Sequence, residues 1–124
     1  MAHVIKYAES DDGIHWKREG VIAVGLEAAG EYAIARPCVV KDGSLYRMWY
    51  SHRGPAYRIG YAESGDGVSW RRMDESVGIE PSAQGWDSQS IQYAFVFRHR
   101  GRLHMLYNGN DYGRTGFGLA VCGE

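Results

Sequence analysis

Two stretches of the sequence carry carboxylates at matched spacing. Tyr7 to Trp16 reads YAESDDGIHW, and Tyr61 to Trp70 reads YAESGDGVSW, with seven of ten positions identical. Paired carboxylates are the usual equipment of general acid–base chemistry, so Glu9 with Asp12 and Glu63 with Asp66 are the first candidates. A third acidic position, Asp87, stands in WDSQSIQYAF beside Gln89 and Gln92. Arg36 and Arg53 offer planar forks to hydroxyls or carboxylates. The stretch YNGNDYGRTGFG adds Asn108, Asn110 and Arg114.

The local chemistry of the repeated stretch favours scaffold over catalysis. Asp-Gly supplies the positive φ that a tight turn needs, and a serine two residues earlier can brace the turn through backbone amides. Each copy therefore predicts a hairpin, with Ile14 and Trp16, or Val68 and Trp70, on one face of the return strand. A second repeat supports this. VVKDGSLYRMWYSHRG from Val39 aligns with VFRHRGRLHMLYNGND from Val96, matching Met48 to Met105 and Tyr50 to Tyr107. The repeating unit has four short strands: A near Pro37–Lys41, B over Leu45–Ser51, C over Arg58–Glu63 and D over Val68–Arg72. Four short strands per repeat of 40–60 residues mark β-propeller blades.

The expected fold is therefore all-β, built of four-stranded antiparallel blades. Residues 1–24 give the C–D hairpin of one blade, 36–73 a full blade, and 91–122 strands A to C of a further blade. GLEAAGEYAIA, residues 25–35, reads as a loop, since its glycines and broken stripe do not sustain a helix. About two blades would leave open edges, which soluble proteins avoid. Self-association that completes the propeller is the expectation, the A–B–C set of one chain meeting the C–D hairpin of another.

Composition bounds the partners. The 124 residues are 44% apolar, enough for a core, and 14 basic against 15 acidic residues give a net charge of −1. That balance argues against nucleic acid. No apolar run approaches the roughly 20 residues of a membrane span, and no basic amphipathic segment marks a membrane surface. The N-terminus lacks a signal-peptide pattern, which leads to a cytoplasmic expectation. Cys38 and Cys122 read as reduced small hydrophobes. The five histidines have no ligand spacing, so neither metal nor cofactor is expected.

RPCVVKDGSLYRMWYSHRG, YRIGYAESGDGVSW and WDSQSIQYAFVFRHRGRLHMLYNGNDYGRTGFGLAV resemble the C-terminal blades of the five-bladed propeller glycosidase superfamily. That superfamily includes glycoside hydrolase families 32, 43, 62 and 68, and lies near family 130. The resemblance implies a central funnel into which successive blades project carboxylates, one activating water or the sugar, one tuning, and one protonating the leaving oxygen. The first would lie on a blade with no counterpart in this sequence. The second would fall at Arg36-Pro37, where families 32 and 68 have an intervening Asp that is missing here. The third would fall within WDSQSIQYAF, where Gln89 and Gln92 replace the expected glutamate. An amide cannot exchange a proton as a carboxyl does.

Asp87 is the surviving carboxylate nearest that position and is the one candidate catalytic residue. The ligand-binding candidates are Arg36, Tyr50, Arg53, Gln89, Gln92, Asn108, Asn110 and Arg114. Trp49, Tyr50, Tyr93 and Tyr107 read either as a sugar-stacking floor or as filler between blades. The resemblance implies a carbohydrate-binding funnel with degenerate acids. The alternatives are an active hydrolase completed across subunits by Asp87 with Glu31 or Asp111, and a structural unit without ligand.

Overall fold

The computed structural model describes residues 2–123. Among these residues nine strands form three antiparallel sheets. A two-stranded ribbon pairs β1 (Ile5–Lys6) with β2 (Ile22–Val24). The central sheet runs in order through β3 (Ala33–Asp42), β4 (Leu45–Arg53), β5 (Tyr57–Ser64) and β6 (Arg71–Arg72). The third sheet runs through β7 (Gln92–His99), β8 (Arg102–Asn108) and β9 (Phe117–Val121). A single 3₁₀ turn at Asp74–Ser76 and one irregular turn, α1 (Asn110–Gly113), are the only helical pieces among the described residues. Residues 25–32 form a loop, but Ala33–Ala35, read from the sequence as its end, pair with β4 and open β3.

Both Asp-Gly turns are built alike. Ser10 Oγ accepts from the Asp12 and Gly13 amides at 3.3 and 2.8 Å, and Ser64 Oγ accepts from Asp66 and Gly67 at the same distances. Asp12 Oδ1 takes the amides of Ile14 and His15, each at 2.8 Å. Asp66 Oδ1 takes those of Val68 and Ser69 at 2.9 and 2.8 Å. This geometry corrects the extent of the return strands. Amides bound to the aspartate cannot bond a neighbouring strand, so β6 holds only Arg71 and Arg72. In the first copy the return segment makes a single bridge, Glu9 to Lys17, and the strand pairing with β1 begins only at Ile22.

Two apolar layers hold the sheets face to face. Trp49, Ile59 and Tyr61 of the central sheet pack on Ala94, Val96, Leu103 and Met105 of the third. On the opposite face, Ile34, Met48, Tyr50 and Ala62 pack on Ile5 and Val24 of the ribbon. Alternation along each strand sends successive residues to opposite faces, which is why Trp49 and Tyr50 enter different layers. Cys38 is half-buried, its Sγ accepting from the Val96 amide at 3.3 Å. Cys122 is exposed, and neither cysteine is in a disulfide.

A charged clasp ties the end of the central sheet to the loop before β3. Arg72 donates to both oxygens of Glu31, at 2.8 and 2.7 Å, and to Asp74 Oδ2 at 3.1 and 2.6 Å. It also donates to the Gly25 carbonyl at 2.9 Å. Tyr50 and the Tyr61 amide donate to Asp74 Oδ1, and His52 Nδ1 lies 3.0 Å from Glu31 Oε1. The side chains of Arg72 and Glu31 are only 5% and 2% exposed, so their charges are compensated by each other and not by water. Burial alone would raise the Glu31 carboxyl. The bonds from Arg72 and from the Glu27 amide outweigh it and hold the group at about 2.

A carboxylate held below its unfolded value stabilises the fold above that value, and the contribution vanishes as pH falls through the folded one. Unfolding free energy is therefore expected to fall between pH 4.5 and about 2, by an amount on the order of 3 kcal/mol from Glu31. Glu31→Gln should lower stability at pH 7 by about 3 kcal/mol and flatten that acid limb. Urea denaturation at stepped pH measures both, and an unchanged midpoint in the variant would show the clasp to be energetically idle.

Candidate functional site

The strand register puts four connections at one end of the molecule. The start of β3 pairs with the end of β4, Ala33 opposite Arg53, and Arg53 pairs with Tyr57 at the start of β5. In the third sheet Gln92, Asn108 and Phe117 form the same row. The Asp-Gly turns lie at the other end, since Ser64 pairs with Tyr46 at the start of β4.

Backbone strain gathers at the first of these ends. β3 bulges between Ala35 and Cys38, and β7 bulges between Gln92 and Phe95. Inside those bulges Arg36 has φ 57° and Tyr93 φ 61°, the left-handed region that side chains avoid. The two positions correspond in the internal repeat. Asp111 and Tyr112, in α1, add φ values of 55° and 59°. Each such residue costs about 1 kcal/mol or more and persists only where surrounding contacts enforce it, a condition met most often at binding sites. At Tyr93 the enforcement is visible: its amide donates 2.8 Å to the buried Ser51 hydroxyl.

The strained side chains meet. Arg36 lies 5.0 Å from the Tyr93 ring centroid, and Tyr93 is 5.8 Å from Tyr57 and 6.1 Å from Tyr112. Tyr57 and Tyr112 are 5.7 Å apart. Arg53 sits 5.1 Å from the Tyr57 ring and 5.8 Å from that of Tyr32, and donates 2.6 Å to the Tyr112 hydroxyl. Its Nε is buried between these rings without a partner. Burial, with Tyr57 beside it, pushes the Tyr93 hydroxyl above the ordinary tyrosine range, so it remains a donor at neutral pH. Beside this platform opens a cavity of about 340 Å³, lined by Arg53, Tyr57, Gln89, Gln92, Asp111 and Tyr112. A second hollow of about 230 Å³, reaching Glu31, His52 and Arg58, lies across the Pro55–Ala56 ridge that borders both.

The sequence candidates divide accordingly. Arg36 stacks on the platform, and Arg53, Gln89 and Gln92 border the cavity. Gln92 is its floor, almost wholly buried, its amide donating 2.7 Å to the Gly109 carbonyl. Tyr50 does not reach a ligand surface. It is completely buried in the layer beneath the ribbon and bonds Asp74. Trp49 is likewise core, while Tyr107 stacks 5.6 Å from Trp86. Asn110 serves the loop and not the pocket: buried, it accepts from the Gln89 and Ser90 amides at 2.7 and 3.1 Å and donates to the Gly85 carbonyl at 3.1 Å. Asn108 reaches the Tyr112 carbonyl at 3.4 Å, and Arg114 is exposed, 3.4 Å from Asp111. The glycines of this loop have a packing reason. A Cβ at Gly109 or Gly118 would come within 2.4 or 2.5 Å of the Trp86 ring.

Asp87 is buried and does not line the cavity. It accepts 3.0 Å from Tyr107, whose hydroxyl burial and Asp87 together push up to about 12. Asp111 is the carboxylate that borders the cavity. Glu31 and Asp74 both lie below their ordinary values, against burial, because Arg72 and their other donors bind the ionised form. A general acid requires the opposite shift. Tyr57, Tyr112 and Tyr32 escaped sequence reading, although Tyr57 opens strand C directly after the Gly-Pro turn and Tyr112 stands amid glycines that shape a loop. Among the described residues, no group of three or more His, Cys, Asp or Glu side chains is placed to hold a metal ion, and no helix is long and apolar enough to cross a membrane.

No protein-family profile matches this chain. An uncharacterised protein of Mycobacterium tuberculosis strain CDC 1551 is 50% identical over 121 residues, which cover 98% of this chain and 40% of that protein. The chain thus spans well under half the length of the curated relative it matches. Among solved structures, a glycoside hydrolase at 26% identity superposes with a TM-score of 0.73, covering 94% of this chain and 35% of that one. The family 117 glycoside hydrolase Zg3597 of the marine bacterium Zobellia galactanivorans gives a TM-score of 0.78 at 23% identity, over 98% of this chain and 38% of that one. With its antiparallel sheets stacked face to face, the chain is an all-β protein with the fold of propeller-type glycoside hydrolases.

Proposed function

We propose that this chain is a glycosidase-like propeller unit that binds a carbohydrate on the Arg36–Tyr93–Tyr57–Tyr112–Arg53 platform, without a competent acid–base pair of its own. The observation that carries the reading is the gathering of three mutually packed tyrosines and two arginines at the strained start of the inner strands. Aromatic faces suit the C–H faces of a sugar ring, and arginine forks with glutamine amides suit its hydroxyls. The adjoining cavity, about 340 Å³, falls at the lower end of the size range of small-ligand sites. The likeness in fold to glycoside hydrolases supports a sugar as the ligand class.

Screening on an immobilised glycan panel, followed by calorimetric titration of any hit, tests this. Wild-type protein should bind, and Tyr112→Ala or Arg53→Met should weaken binding about tenfold with the fold intact. A panel without a single hit would overturn the reading in favour of a purely structural unit.

A second reading has one observation behind it: Asp111 offers a carboxylate at the cavity wall. If neighbouring subunits supplied the other acid, the protein would hydrolyse glycosides. Asp111→Asn separates the two. Binding survives this substitution under the first reading. Turnover of furanosidic or mannosidic substrates by the wild type, abolished by the change, would establish the second.

A further inference from the structure

The internal repeat allows the two faces of each sheet to be compared with their counterparts elsewhere in the chain. In the central sheet the cross-strand row Cys38–Trp49–Tyr61 points toward the third sheet. Covered there, Trp49 and Tyr61 are 5% and 4% exposed. The corresponding row of the third sheet is Phe95–Leu106–Leu119, in the same register. Among the described residues nothing covers it: Phe95 is 59% exposed, Leu106 37% and Leu119 58%, and Phe117, the counterpart of buried Ile59, is 74% exposed. Isolated surface leucines need no explanation, but one contiguous row with a large aromatic at its edge does.

The opposite face of the chain is open in a complementary way. Trp70 packs from the central sheet onto the layer built on Ile5 and Val24 of the preceding ribbon. Its counterpart in the first turn, Trp16, is 55% exposed, and neighbouring Ile14 is 77% exposed. The contact between ribbon and central sheet shows what such a tryptophan face meets. The ribbon side contributes Ile5 and Tyr7, which correspond to Ile59 and Tyr61 of the central sheet and so to Phe117 and Leu119 of the third. One chain therefore carries both halves of an inter-sheet contact, unpartnered and facing away from each other.

We infer that the Phe95–Leu106–Leu119 face of one copy docks on the Trp16 face of a second copy, head to tail. A second copy is the occupant because the matching half of the established contact is on the chain itself, and because the net charge of −1 opposes such packing little. An association of this kind is heterologous and propagates until it closes on itself. It is independent of whether a sugar binds, since neither face includes the tyrosine platform.

Analytical ultracentrifugation of the whole chain, with two variants, tests the inference. Wild-type protein should be oligomeric at micromolar concentration. Leu119→Lys and Trp16→Glu should each be monomeric, with association weakened at least about a hundredfold. An equimolar mixture of the two should then form a heterodimer, because the first variant retains its tryptophan face and the second its leucine face. If Leu119→Lys loses its far-ultraviolet dichroism, Leu119→Ser replaces it. A monomeric wild type at ~100 μM would overturn the inference. So would self-dimers of Trp16→Glu that gain nothing on mixing, since those indicate leucine faces paired with each other.

Discussion

Arg72 is the point on which three parts of the chain depend. It stands at the end of β6, binds Glu31 in the loop that leads into β3, binds Asp74 beneath Tyr50, and reaches the Gly25 carbonyl beyond the ribbon. The strand that carries it is two residues long, too short to fix its position by ladder bonds alone. The clasp compensates for that. It ties down the loop from which Tyr32 and the start of β3 emerge. A buried guanidinium with both carboxylates in place is stable, whereas one that loses a partner is left charged and dry.

The repeat made the architecture legible because its signal is local. Ser-x-Asp-Gly defines a turn through bonds among residues within five positions, and such bonds do not depend on what lies across the sheet. The same local bonds explain where the reading went too far. An aspartate that takes the amides two and three residues on delays the return strand, so the segment from Ile14 to Arg18 makes only the single Lys17 bridge to Glu9. Tyr50 shows a different limit. Adjacent to Trp49 on one strand, it could serve either face until the sheets on both sides were known, and both turn out to be occupied by core. Asn110 and Gln92 read as polar residues with a purpose, but their partners are backbone groups 17 to 25 residues away, Gly109 for Gln92 and the 85–90 segment for Asn110, which spacing does not reveal.

Strain was the least legible feature and the most informative once visible. Nothing in the identity of Arg36 or Tyr93 announces a left-handed backbone, which glycine or asparagine would adopt more cheaply. Two corresponding positions of successive sheets share it under large side chains, each inside a bulge. The Arg36 guanidinium lies over the Tyr93 ring. The repeat that supplies the frame thus also supplies the two anchors of the platform.

The acid–base question follows from the same geometry. The carboxylates with the richest surroundings, Glu31 and Asp74, are committed to Arg72, and their ionised forms are the ones stabilised. A hydrolase needs a carboxyl that holds its proton in an apolar or like-charged setting. Freeing Glu31 for that task would require removing Arg72, and with it the clasp that positions β3. Structural and catalytic use of Glu31 and Asp74 therefore exclude each other in this fold.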